Sequence, residues 1–268
     1  RGSTLKTITK EEFSKFEIPI PPLHVQSEIV RILDNFTELT AELTAELTAE
    51  LTARKKQYTY YRDKLLTFEE ADVEFKTFNE ITISTKNIKW NNTNKTYQYI
   101  DLSSVSRDNN LIIETSEINS NNAPSRAQKI VLKDDVLFAT TRPTQQRYCL
   151  VNDEYSGQIA STGYCILRAD INKILPKWIY YNVSSTNFKN YVEENQSGSA
   201  YPAISDSKVK DFLIPIPSLE EQMRIVSILD KFDTLTNSIS EGLPKEIELR
   251  KKQYEYYRDL LLTFPRQD

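Results

Sequence analysis

Residues Leu39 to Leu51 read LTAELTAELTAEL, a four-residue unit repeated three times. Every residue in it is compatible with a helix, and neither glycine nor proline breaks it. Leu39, Leu43, Leu47 and Leu51 fall four apart, so they share one slowly rotating face. Ile29, Ile32, Leu33 and Phe36 precede the run at helical spacing, and Tyr58, Tyr61, Leu65 and Leu66 follow it. No stop signal lies between Pro22 and Phe68. The reading predicts one helix of about 45 residues, ~65 Å long at ~1.5 Å per residue. A helix that long is a ruler or a spacer, and its apolar stripe needs a partner.

The partner is in the same chain. FEIPIPPLHVQSEIVRILDNFTELT, from Phe16, recurs as FLIPIPSLEEQMRIVSILDKFDTLT, from Phe212. RKKQYTYYRDKLLTF, ending at Phe68, recurs as RKKQYEYYRDLLLTF, ending at Phe264, with no gap between the copies. Roughly 30 positions are identical, far beyond chance for a self-comparison. The second copy keeps apolar residues four apart at Leu235, Ile239, Leu243 and Ile247, and its Gly242 and Pro244 predict an interruption. Two equivalent helices predict an antiparallel pair, with Ile29, Leu33, Phe36 and Leu39 packed on Ile225, Leu229, Phe232 and Leu235.

Between the copies the texture changes. EEADVEF, Glu69 to Phe75, reads as an acidic linker. Beyond it, strand-like runs (ITIS, TYQYIDL, LIIET, KIVL, VLFATT, RYCLV, YCILR) alternate with Asn-rich turns, and ILPKWIYYNVSSTNFKNYVEEN reads as one or two short amphipathic helices. The fold class is α+β: one α/β module dominated by a twisted sheet, inserted between two long helical regions that pair as an antiparallel coiled coil. IPIPP, Ile18 to Pro22, and IPIPS, Ile214 to Ser218, cannot be helical and read as edge strands leading into helix starts. Gly2, Ser3 and Ile8 align with Gly198, Ser199 and Ile204. The chain is therefore expected to be a fragment that opens on the tail of a first module at 1–21. The central helix follows at 22–68, a module at 69–217 and the distal helical region at 218–268.

Composition narrows the chemistry. A net charge of −4 over 268 residues carries no global signature of nucleic-acid binding. Cys149 and Cys165 sit in apolar strand-like runs, which reads as buried free thiols and a cytoplasmic location. No run approaches the ~18 apolar residues of a membrane helix, and no signal peptide is visible. The one histidine, His24, has Glu220 as its counterpart in the repeat and reads as surface. With five glycines no phosphate loop can be built. There is no NPPY or DPPY motif for amino-methyl transfer, no metal-ligand spacing and no nucleophile elbow. Asp134-Asp135 and Glu193-Glu194 read as solvated.

What remains is polar recognition surface. Residues 121–151 carry five basic and two acidic side chains, and their loops gather Arg126, Gln128, Lys129, Thr141, Arg142, Gln145, Gln146 and Arg147. Arginine and glutamine hydrogen-bond bidentately to guanine and adenine edges, whereas Ser, Thr and Lys suit phosphates. Ser161 and Thr162 lie beside Gly163, where a backbone can approach a phosphate closely, and STKNIKWNNTNK adds Lys86, Lys89, Lys95 and an exposed Trp90. RKKQYTYYRDK reads either as a solvated helix face or as a docking surface for another subunit or the DNA backbone.

Two helical repeats opened by IPIPPLHVQSEIVRILD and IPIPSLEEQMRIVSILD, closed by RKKQYxYYRDxLLTF and flanking an α+β module, resemble the specificity subunit of type I restriction-modification enzymes. The LTAE tetrads resemble the central region of its type IC group. APSRA (123–127), DDVL (134–137) and ASTGY (160–164) are similar to elements of its second target recognition domain. The resemblance implies a non-catalytic subunit that binds one half of a bipartite site in double-stranded DNA, while its helices set the spacing and dock methyltransferase subunits. It implies no cofactor on this chain. S-adenosylmethionine would belong to the methyltransferase subunits, and ATP and Mg to a restriction/translocase subunit. Self-association through the helices is a further expectation, and a membrane is not. The alternative is a coiled-coil scaffold or interaction protein with a ligand-binding insert; a methyltransferase in its own right fails on the missing motifs.

Overall fold

The computed structural model describes residues 8–237 and 242–264. The first elements are α1 (Lys10–Phe13), α2 (Leu23–Leu65), β1 (Glu74–Thr77), α3 (Phe78–Ile81), β2 (Thr82–Ile83), β3 (Tyr97–Ile100), β4 (Ser116–Ile118) and β5 (Ala127–Ile130). There follow β6 (Val136–Ala139), β7 (Tyr148–Leu150), β8 (Ile159–Ser161), β9 (Tyr164–Ala169), α4 (Pro176–Ser184), α5 (Thr186–Asn195) and α6 (Asp206–Lys210). β10 (Leu213–Ile216), α7 (Leu219–Asn237) and α8 (Gly242–Leu262) close the chain. Contacts divide it into two compact units, Arg1–Ala49 with Glu246–Asp268, and Glu50–Lys245.

The second unit is the α+β module with the helical turns packed on it. Two four-stranded sheets form it, ordered β2-β9-β6-β7 and β4-β3-β8-β5, with a separate β1-β10 ribbon. A single sheet is thus corrected to two, and the reason lies in β6 and β9, which are buried on both faces. Val136, Phe138, Cys165 and Leu167 point into a core shared with α4 and α5. Leu137, Ala139, Tyr164 and Ile166 point into another, shared with Ile100 of β3 and Ala160 of β8. A strand covered on both faces reads as a continuous apolar run, so VLFA and YCIL carry no alternation. Burial pushes both cysteine thiols, Cys149 and Cys165, up to about 12.

Several local expectations change. IPIPS forms β10, which pairs with β1 (Lys76 opposite Ile214), so Glu74 and Phe75 of the supposed linker are strand. IPIPP forms no strand among the described residues. LIIET is not a strand either; β4 begins one residue later, and QIAS supplies β8. Asp135 is fully buried rather than solvated: Arg168 donates to both its oxygens at 2.7 Å, and the Leu132 amide donates at 2.8 Å. A carboxylate this short of solvent persists because it is paired with a guanidinium and both its oxygens accept hydrogen bonds. Trp90 is half-buried, its indole N–H donating to the Ala127 carbonyl at 2.9 Å.

The helices follow the long-range reading with one correction of register. α2 is continuous over 43 residues, and the second copy is divided into α7 and α8; residues 238–241 lie outside the described residues. Gly242 adopts φ +74, and a Cβ there would meet the Leu235 carbonyl oxygen at 2.7 Å. Phe36 and Phe232 each take a tyrosine of the other copy as ring partner within their own unit. In one unit Phe36 packs on Tyr257 at 5.8 Å, and Thr37 shares a hydrogen bond with Tyr254. In the other Phe232 stacks on Tyr61 at 6.2 Å and touches Tyr58. These are one contact made twice, between the head of one copy and the tail of the other. A bulky ring fills the space left beside a ring on the facing helix better than a second aliphatic row would.

Local interactions repeat while surroundings differ. Gln26 donates to Pro21 and Gln222 to Pro217; Arg54 pairs with Glu50 and Arg250 with Glu246. Yet Ile225, Val226 and Leu229 of α7 are buried in the core with Trp178 and Ile179 of α4, whereas Val30, the counterpart of Val226, is 56% exposed. Leu229→Ala should therefore cost about 2–5 kcal/mol, and Val30→Ala no more than about 0.5 kcal/mol. Urea unfolding of the two variants measures both, and equal losses would contradict the asymmetry.

Candidate nucleic-acid interface

The loop from β6 to β7 is set by backbone geometry. Arg142 and Gln146 both adopt φ 50, in the left-handed region that side chains with a Cβ rarely occupy, and they bracket a single 3-10 turn, Pro143–Gln145. The following proline makes this more unusual for Arg142, since it narrows the choices of the residue before it. The conformation is held from outside. Thr140 bonds Gly163 through both its amide and its hydroxyl, and the Arg142 amide donates to the Pro202 carbonyl at 2.7 Å. Pro202 belongs to a tight loop closed by reciprocal bonds between Ser197 and Ala203, with Gly198 at φ +91. The Ala203 backbone then bridges to Thr141.

These bonds bring most of the candidate residues together. The Thr162 amide donates to the Arg126 carbonyl at 2.8 Å, placing the start of β5 beside the turn after β8. Arg126, Thr162, Thr141, Arg142, Gln145 and Gln146 thus ring one end of the module, with Arg126 and Arg142 exposed and the others half-exposed. Lys86 and Lys89 lie elsewhere, along the outer edge of β5. There Ile88 donates to the Gln128 carbonyl and Ile130 to the Lys86 carbonyl, and both lysines are exposed.

Three candidates are committed to the fold. Lys129 places its ammonium between Asp206 and the Tyr164 carbonyl, both at 2.6 Å. Arg147 donates to the carbonyls of Leu102 and Val105 and so clamps the loop after β3. That loop is held again by Asp101. Partial burial works against the charge of its carboxyl, but hydrogen bonds from Ser103 and Ser104 outweigh this and keep it below the usual carboxylate range. Ser161 is buried, its oxygen accepting from the Gly163 amide. Gly163 itself serves packing rather than phosphate approach: a Cβ there would meet the Leu102 side chain at 3.2 Å.

One residue escaped the sequence reading. Tyr201, at the tip of the 198–202 loop, is 73% exposed, and the Arg142 guanidinium lies over its ring, 5.6 Å from the centroid. The available signal was an aromatic residue set in a run of small residues, SGSAYPA, with a glycine to turn the chain. Among the described residues no group of His, Cys, Asp and Glu is arranged to hold a metal ion, and no helix is long and apolar enough to cross a membrane. The arrangement offers arginines and amides on a stiff rim.

Residues 1–53 and 70–249 match the family described as type I restriction modification DNA specificity domain. Over 281 residues the chain is 40% identical to the EcoR124I/EcoR124II specificity subunit of Escherichia coli, with 95% of this chain and 65% of that protein covered. It is 36% identical to the EcoprrI specificity subunit of Escherichia coli over 89% of this chain and 58% of that protein. The chain spans less than two thirds of the length of either. Its fold is similar to the crystal structure of the HsdS subunit from Thermoanaerobacter tengcongensis, with a TM-score of 0.56 and 31% identity over 69% of this chain and 46% of that one.

The two loop arginines should separate in stability. Removing Arg147 leaves two carbonyls without their charged donor, and Arg147→Ala should lower stability by about 1.5–3 kcal/mol. Arg142→Ala removes an exposed side chain and should change it by less than about 0.5 kcal/mol. Denaturant midpoints of both variants check this, and a stable Arg147→Ala protein would show that the clamp is dispensable.

Proposed function

The chain belongs to the type I restriction modification DNA specificity family, and from that membership we propose that it is a non-catalytic DNA-recognition chain of a type I restriction-modification complex. The module within 69–217 binds one half of a bipartite site in double-stranded DNA. The observation that carries this reading is the rim of Arg126, Arg142, Gln145 and Gln146. Among the described residues its arginines make no ion pair, and its backbone is bonded to two neighbouring loops. Direct readout needs that combination, because a base edge is recognised by donors and acceptors already in position. Lys86, Lys89 and Thr162 contact phosphates, and Lys129, Arg147 and Ser161 support the rim from behind.

The helical regions, 22–68 and 218–268, pair as an antiparallel coiled coil and carry the LTAE tetrads as a type IC-like spacer. The reciprocal Phe–Tyr contacts support this reading. Methyltransferase subunits dock on the helices and bring S-adenosylmethionine. A restriction/translocase subunit, using ATP and Mg, joins through the assembly. Self-association draws support from the strip Phe16, Ile18, Ile20 and Val30, exposed where its counterparts Phe212, Ile214, Ile216 and Val226 are covered. Sedimentation of the purified chain would show a dimer. Recognition itself is tested by purifying the chain with its accompanying subunits and measuring duplex binding across salt concentrations. Salt-dependent binding supports the reading, and its absence at low salt, with a methyltransferase present, refutes it.

The tetrads supply a sharper prediction. Deleting Leu43 to Glu46 in the assembled enzyme shortens α2 by four residues, or ~6 Å, and turns everything beyond it back by a net ~40°. One DNA base pair rises ~3.4 Å and turns ~35°. The angular step is close to one base pair, and a reading surface must face its groove, so rotation governs. The half-site sequences should stay the same while the preferred gap shortens by one base pair. Leu39 is then followed by Leu47 four positions on, so the helix keeps its stripe. Methylation of duplexes differing only in gap length measures the shift; an unmoved gap would remove the helix as a ruler.

A further inference from the structure

The module contains five arginines, and their side chains are spent differently. Arg168 is locked on Asp135 and Arg147 on two backbone carbonyls. Arg107 and Arg126 are exposed and rest on nothing recorded among the described residues. Arg142 alone among them is both unpaired and placed: its guanidinium lies over the face of Tyr201, and its backbone is pinned by the Pro202 carbonyl. A guanidinium held over an aromatic face is confined to that side of the ring and keeps its N–H groups free for a partner. A fork of fixed plane is what bidentate recognition of guanine O6 and N7 requires. Neutralising a phosphate makes a weaker demand, since the point charge of a lysine also meets it.

The cost of the arrangement points the same way. Arg142 sits at positive φ immediately before a proline, a conformation that persists only where neighbours over-determine it. Tyr201 is presented on its own closed loop, with its ring 73% exposed. An exposed aromatic ring gains little for folding, and the recorded ring contact it makes is with the arginine. Resting on the DNA-recognition reading above, we infer that Arg142 reads a guanine in the half-site and that Tyr201 is the positioning residue that fixes the plane of its guanidinium.

The test selects bound duplexes from a random library with the full chain and its accompanying subunits. Wild type, Arg142→Ala, Tyr201→Ala, Tyr201→Phe and the Arg142→Ala, Tyr201→Ala double variant are compared, each first shown to unfold at the wild-type urea midpoint. Wild type should select a motif containing a guanine at which Arg142→Ala loses discrimination by roughly 10- to 100-fold. Tyr201→Ala should relax that same position and no other, the double variant should be no worse than Arg142→Ala, and Tyr201→Phe should keep the wild-type motif. Replacing that guanine by 7-deazaguanine should weaken wild type but not Arg142→Ala. Uniform weakening of all sequences by Arg142→Ala, or relaxation at a base other than guanine, overturns the assignment of Arg142. Loss at guanine in Arg142→Ala with an intact motif in Tyr201→Ala overturns that of Tyr201. In these cases the wild-type motif stands; a wild-type protein that selects no motif sinks the DNA-recognition reading itself and the inference with it.

Discussion

Each helical repeat carries a phenylalanine near its start and a tyrosine near its end, and the phenylalanine of one copy meets the tyrosine of the other. Phe36 meets Tyr257, and Phe232 meets Tyr61. A sequence paired with its own equivalent in parallel would bring head to head. Here the contact is head to tail and occurs twice, so each repeat supplies one of each ring. The antiparallel coiled-coil reading rests on this reciprocity, and so does the idea of α2 as a spacer, since a helix measures distance only when its partner fixes its direction.

Near-identical sequence in two surroundings shows how far local chemistry reaches. Where both copies keep the residues, a cap-like glutamine, the Arg54 and Arg250 ion pairs and a threonine back-bond recur at equivalent positions, because they depend only on residues within a turn or two. Burial does not recur. Ile214 is fully buried in β10 and paired across to Lys76, whereas Ile18 is exposed and unpaired in strand terms. Arg62 is buried beside Thr186, and its counterpart Arg258 is half-exposed. Tertiary neighbours decide such residues, and the repeat supplies the comparison that proves it.

The same division explains what could be read in the sequence. The continuous α2, the break at Gly242, the buried cysteines and the α4–α5 pair were legible because propensity and periodicity are local signals. The helix register was not, since four apolar residues per copy fit several pairings and only the rings distinguish them. The two-sheet construction was hidden by strands buried on both faces, whose apolar runs say nothing about which face meets what. In the candidate site, clustering in sequence located the β6–β7 loop but could not sort its residues. Arg142 and Arg147 are five positions apart in one loop, yet one is presented and the other is a clamp. Tyr201 was missed because its relation to Arg142 runs through a backbone bond to Pro202, which no spacing announces.

That sorting also reconciles an acidic chain with a nucleic-acid reading. A net charge of −4 argues against binding only if charges act as a sum. In the module two acids are paired with cations that hold the fold, Asp135 with Arg168 and Asp206 with Lys129, and exposed Asp153 is paired with Lys133. The cations left at the rim are few, so on the proposed reading long-range attraction to phosphate is weak and would be shared with other subunits. What a few positioned arginines can do is discriminate, because a misplaced donor at a base edge costs more than a missing charge in a groove. On the proposed reading such a chain would choose where an assembly binds and would leave the strength of binding to the rest.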